Sequence, residues 1–220
     1  MNDIIKQIRT DLRLSMNGAV SASMRDKGVN YKMNFGVGIP RIKQISEKYG
    51  KDKHLAEILW NEDVRELKIL ATMIYPLEYF SKENANKWIS VGFDQEMREQ
   101  LCKNLFQSLP YADELVEDWI KSKSEDIRAT GYWLFARLCI TKSTATDRVD
   151  GGNLLNNAVT DLKGESLMLR QSVVNVLKFY GRLSEAKASE VMQKVQHFEG
   201  SSVSLEKEVL NLLKFEFDME

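Results

Sequence analysis

One five-residue pattern returns five times along the chain, each time ahead of an amphipathic run. A capping residue comes first, then two mostly polar positions, an apolar residue and, usually, arginine. The copies are Asn61-Glu62-Asp63-Val64-Arg65, Asp94-Gln95-Glu96-Met97-Arg98, Ser124-Glu125-Asp126-Ile127-Arg128 and Ser166-Leu167-Met168-Leu169-Arg170. A weaker fifth copy, Ser202-Val203-Ser204-Leu205-Glu206, carries glutamate in the last slot. The last slots are 33, 30, 42 and 36 residues apart. Asn, Asp and Ser accept hydrogen bonds from the unpaired amides of a helix start, and first-turn carboxylates oppose the helix dipole. Behind the pattern, apolar residues fall at helical spacing, as in Leu101 and Leu105, Tyr132 and Phe135, Val173 and Leu177, and Val209 and Leu213. A second helix precedes each slot, with Trp60, Trp88 and Trp119 near the ends of three of them.

Helix pairs at this spacing cannot bury their apolar faces alone and must stack on their neighbours. The chain is therefore expected to be all-α, an α-α superhelix of the HEAT kind built of antiparallel helix pairs, with no β-sheet. Helices should start near Asn61, Asp94, Ser124, Ser166 and Ser202. The longest interval contains TKSTATDRVDGGN, residues 141–153, whose polar and glycine-bearing composition predicts an exposed loop. No linker-like stretch divides the chain, so a single HEAT-like domain over 1–220 is expected, its first 30 residues forming capping helices.

Composition excludes little. Hydrophobic residues make up 43% of the 220 positions and net charge is −1, so a nucleic-acid surface would need uneven placement of the 31 basic side chains. Cys102 and Cys139 each sit in an apolar helical run and read as reduced core residues, which points to a cytoplasmic protein. His54 and His197 are far apart with no cysteine spaced to join them, so neither a metal site nor a cofactor is expected. The charged, amphipathic MNDIIKQIRTDLRL is not expected to be a secretory leader, and no apolar run approaches the ~20 residues of a membrane span.

The stretch NFGVGIPRIKQISEKYG, residues 34–50, places Gly36 and Gly38 just before a helix that Pro40 begins and Gly50 stops. A dinucleotide loop needs a preceding strand and a third glycine, and an NTPase loop needs Gly-Lys-Ser/Thr. Neither is present, so the glycines are expected to serve a tight, packed turn.

Phe35-Gly36-Val37, Pro40 and Ile42, followed by LWNEDVRELKILATMI, are similar to the DNA alkylation repair family of HEAT-like glycosylases (the AlkD type). The resemblance spans roughly residues 25–215. It implies duplex DNA bound on a basic concave surface and hydrolysis of the N-glycosidic bond of alkylated purines without base flipping. It implies four catalytic positions: a tryptophan, an aspartate four residues later, an arginine on the next inner helix and a tryptophan on the one after. Here Phe93, Met97 and Asn175 stand at the first, second and fourth, and Arg128 at the third. Methionine cannot stabilise the oxocarbenium-like sugar that a carboxylate would face. The catalytic candidates are thus Asp94, beside the substituted position, and Arg128.

Candidate DNA-binding residues are basic side chains that cluster without obvious acidic partners. They are Lys32, Arg41 and Lys43 around the glycine loop, Lys121 and Lys123 before the third inner helix, Arg128 itself, and Lys178 with Arg182 at i, i+4. The alternative is a non-catalytic HEAT-like scaffold that binds a protein partner. No membrane role is expected.

Overall fold

The computed structural model describes residues 1–90, 94–164 and 166–218. The fold is an all-α, HEAT-like arrangement of helix pairs. Among the described residues the only β pairing is an isolated bridge between Met33 and Val64. The helices fall into two compact units, 1–81 and 82–220.

The first unit contains α1 (Asn2–Leu14), α2 (Gly18–Asp26), α3 (Ile39–Glu47), α4 (Lys53–Asn61) and α5 (Arg65–Ile74). Ile8 and Leu12 of α1 are buried, and Asp11 on the same face meets Lys48 at 2.9 Å. That hydrogen bond is the main reason the Asp11 carboxyl lies below its ordinary value. The expected helix start at Asn61 is displaced, because Asn61 ends α4 and α5 begins only at Arg65. The cause is the bridge: Met33 donates its amide to the Asp63 carbonyl and accepts the Arg65 amide, drawing residues 62–64 out of helical geometry.

The second unit contains α6 (Lys82–Ile89), α7 (Gln95–Asn104), α8 (Ala112–Trp119), α9 (Glu125–Ile140), α10 (Gly151–Asp161), α11 (Leu167–Gly181), α12 (Glu185–Val195) and α13 (Ser204–Glu216). Asp94 and Ser166 cap α7 and α11 through their side chains, at 2.8 Å to the Met97 amide and 3.2 Å to the Leu169 amide. Ser124 occupies the cap position of α9 without a side-chain bond, and the cap position of α13 is Val203, one residue after the expected Ser202. Helix α9 packs against α7, α8 and α11 and is buried on most sides. Its Gly131 permits a close approach to the end of α8, since a Cβ there would lie 3.0 Å from that of Trp119.

Polar bonds between groups about one repeat apart stitch the pairs together. Trp119 donates to Asn86 at 2.8 Å, Arg98 to Thr130 at 3.0 Å, and Arg137 to Gln107 at 3.0 Å. Residues 141–153 contain a 3-10 turn, Thr144–Arg148, and the start of α10. Ala145 and Val149 bury themselves there, while Arg148 clasps Asp113 of α8 at 2.6 Å. Among the described residues no helix is long and apolar enough to cross a membrane.

Candidate nucleic-acid interface

The glycine loop is closed to a phosphate. Gly36 has φ +69°, and a Cβ on it would collide with the Asn17 carbonyl at the start of α2. The loop amides are already engaged: Phe35 and Val37 donate to the two carboxylate oxygens of Glu66, at 3.0 and 3.2 Å, and Gly36 donates to Asn34 at 2.8 Å. Arg65 donates to the Val37 carbonyl at 3.0 Å and to Glu66 at 2.8 Å. This arginine–glutamate pair is essentially fully buried, so the turn is part of the core. Around it, Lys32, Arg41 and Lys43 are exposed and make no ion pair among the described residues. Arg41 bonds to Ser15 at 2.9 Å and Gln44 at 3.1 Å.

In the second unit the arginine slots are structural. Arg98 is buried and donates to Thr130, Gln95 and the Met168 sulfur. Arg128 grips Asp161, at the end of α10, at 2.9 Å, and Asp161 also accepts from the buried Tyr132 hydroxyl at 2.8 Å. Burial, then the Asp161 charge, pushes the Tyr132 phenol well above its ordinary range. The other arm of Arg128 donates to the carbonyls of Ser122 and Lys123, at 2.9 and 3.2 Å. Arg128 thereby fixes the turn on which exposed Lys121 and Lys123 stand without ion pairs among the described residues. The catalytic candidates are not joined: Asp94 and Arg128 share no hydrogen bond or ion pair, and the Asp94 carboxylate is occupied as a helix cap.

One expectation needs correcting. Lys178 and Arg182 do not lack an acidic partner, because both reach Glu216 at the end of α13, Lys178 at 3.0 Å. The glutamate lies more than one repeat away in sequence and was invisible to local spacing. Burial alone would raise the Glu216 carboxyl, but the bonds from Lys178 and Arg182 outweigh it and bring it below its ordinary value. Arg182 also borders a cleft of about 640 Å³ formed where α9 and α11 end, together with Lys142, Lys187 and the Thr144 and Ser184 hydroxyls. At ~1.5 Å per residue, the 15-residue α11 sets this end roughly 22 Å from the end where Ser166 caps it. The cations at the two ends are therefore separate clusters.

A second cleft, of about 430 Å³, opens where the inner helices run side by side. Gln95 and Glu99 of α7, Trp133 of α9, Arg170, Val174 and Asn175 of α11, and Leu205 of α13 line it. The indole Nε1 of Trp133 is buried and has no hydrogen-bond partner among the described residues. Sequence spacing favours the core for Trp133, yet neighbouring helix positions point ~100° apart. With Tyr132 committed to Asp161, the next side chain has to turn toward the cleft. Asn175, one of the substituted catalytic positions, lies in this cleft, whereas Met97 is 1% exposed and packs in the core. Phe93 lies outside the described residues. Among the described residues no group of three or more His, Cys, Asp or Glu side chains is gathered to hold a metal.

The family model described as DNA alkylation repair enzyme matches residues 8–203. The chain belongs to that family. A solved structure supports the same fold for this DNA alkylation repair family member, with a TM-score of 0.75 over 98% of this chain and 96% of the other at 14% identity. That structure is described as "a new family of proteins related to the HEAT-like repeat DNA glycosylases with affinity for branched DNA structures". Comparison with curated proteins found no match.

Proposed function

We propose that the protein binds DNA, branched forms included, on the face of the second unit where the inner helices begin, and that it excises alkylated purines slowly or not at all. The observation that carries this reading is the burial of Met97. At the position where the family places its carboxylate, the side chain is uncharged and faces the core. Asp94, the carboxylate beside the substituted tryptophan position, is engaged in capping. A developing sugar cation would thus lack the preorganised anion that lowers its energy. DNA binding is supported by family membership, by the affinity for branched DNA described for the structural neighbour, and by exposed Lys121 and Lys123, which stand on a turn that Arg128 fixes and make no ion pair among the described residues.

The test is fluorescence anisotropy with linear and branched duplexes across about 50–200 mM salt, run beside an assay of alkylpurine release from methylated DNA. Binding should weaken steeply with salt, with little base released. Rapid release by the unaltered protein would overturn the non-catalytic part. Failure to bind either DNA at low salt would overturn the whole reading.

A further inference from the structure

Phe215, in the last turn of α13, is 87% exposed, more than any other large apolar side chain among the described residues. Its neighbours in the chain are firmly held. Glu216 bonds to Lys178 and Arg182, and the Phe217 ring lies so close to Gly181 that a Cβ there would collide with it. The end of α13 is thereby fixed against the end of α11, and Phe215 is presented to solvent on a rigid backbone. Aromatic rings placed in this way are favoured anchors of protein interfaces, because they bury much area and lose little conformational freedom.

The same end of the second unit carries a concave apolar surface. Buried Cys139 and half-buried Phe179 line the 640 Å³ cleft, together with Ile140 and Leu183, which are 43% and 37% exposed. Three cations, Lys142, Arg182 and Lys187, border it against one acid, Asp147. Arg182 is committed to Glu216 and Lys187 to Glu190, which leaves Lys142 exposed with no ion pair among the described residues.

Lys142 and Asp218 share a further property. Both have φ 52°, each one position past the cap residue that ends its helix, α9 for Lys142 and α13 for Asp218. A left-handed backbone is easiest for glycine, so each position gives up some stability to carry a charge. The two charges are opposite. Asp218, like Lys142, is exposed and has no ion pair among the described residues.

We propose that the chain self-associates as a two-fold dimer in which Phe215 of each copy enters the 640 Å³ cleft of the other, with Asp218 facing Lys142. Arg182, which borders the cleft, is bonded to the residue next to Phe215, so ring and cleft lie at one end of one unit. A single two-fold axis can then satisfy both contacts at once, as an isologous interface requires. A nucleotide fits the cleft less well, because the Arg182 guanidinium already stands over the Phe179 ring at 5.0 Å, where a base would stack. An apolar ring close to a carboxylate instead matches aliphatic walls beside an unpaired lysine. Two seats of this kind make a small interface, so the dimer is weak and forms only as protein concentration rises. The inference does not rest on the DNA-binding reading.

The test is sedimentation velocity of the full chain without DNA, over about 1–300 μM protein. The wild type should pass from monomer to dimer across that range. Phe215→Ser on the ring side and Ile140→Asp on the cleft side should each weaken dimerisation at least about tenfold. Lys142→Glu should weaken it about three- to tenfold, and adding Asp218→Lys should bring it back to within about twofold of wild type. All four positions are exposed, so melting temperatures near that of the wild type are expected and confirm that the variants fold. A wild type that stays monomeric throughout overturns the inference and leaves the cleft to another occupant. A dimer that persists in Phe215→Ser or in Ile140→Asp overturns it as well, as does a charge-reversed pair that associates no better than Lys142→Glu alone.

Discussion

Val37 gives its amide to Glu66 at 3.2 Å, and the carbonyl of Val37 accepts from Arg65, the residue beside that glutamate, at 3.0 Å. Helix α5 thus holds the glycine turn by both polar groups of one residue, and Phe35 adds a second amide to the same carboxylate. The carboxylate, the guanidinium and the loop backbone satisfy one another in a site closed to water. Such a unit tolerates partial removal poorly, because a missing partner leaves buried polar groups under-satisfied.

Glu66→Gln is expected to cost about 3–5 kcal/mol, since it removes the buried negative charge that Arg65 and the Phe35 and Val37 amides share. Urea denaturation followed by circular dichroism measures it. A loss under about 1 kcal/mol would mean that water reaches the pair and screens it.

The solenoid was readable in the sequence because capping residues and apolar spacing are local signals. Asp94 and Ser166 cap the helices as their positions suggest. The start at Asn61 was misplaced because a distant segment, at Met33, pairs with Val64 and competes for the backbone. The same limit governs the site. Nothing near Lys178 or Arg182 in sequence announces Glu216, and nothing near Arg128 announces Asp161. Trp133 was legible as a helix residue, but its unpaired N–H depends on where three other helices put their side chains.

Acid should loosen the segment after α9. The hydrogen bond from Arg148 is the main reason the Asp113 carboxyl sits below its ordinary 3.8, and partial burial opposes it. A carboxyl depressed by folding adds stability above its unfolded value and loses it as pH falls through the lower folded value. Asp113→Asn should therefore be less stable than wild type near neutral pH. The gap should narrow from about pH 4 downward and close once Asp113 is protonated in the folded state. Urea midpoints of both proteins across that range provide the check, and a gap independent of pH would show that the ion pair contributes nothing.

The two lysine-bearing ends of the inner helices should respond differently to charge removal. Lys121→Ala with Lys123→Ala removes exposed cations that no described acid neutralises, so the salt slope of DNA binding should flatten by about one to two, with stability nearly unchanged. Lys178→Ala with Arg182→Ala instead strips both partners from Glu216, so its first effect should be a lower melting temperature. If the second pair flattens the slope more than the first, DNA lies across the C-terminal ends of α9 and α11.

Restoring the family's carboxylate should fail. Met97 is 1% exposed, so Met97→Asp places a carboxylate among core side chains with no cation positioned for it. The nearest arginine, Arg98, is already committed to Thr130, Gln95 and Met168. Such a substitution is expected to cost about 3 kcal/mol or more, whereas Met97→Leu, which conserves volume, should cost less than about 1.5 kcal/mol. Alkylpurine release should not rise in the fraction of Met97→Asp that folds, because a carboxyl in that environment is protonated and turned away from bound DNA. Denaturation curves and a release assay on the same preparations decide the matter. A stable Met97→Asp protein that gains excision would show that this face of α7 opens when DNA binds.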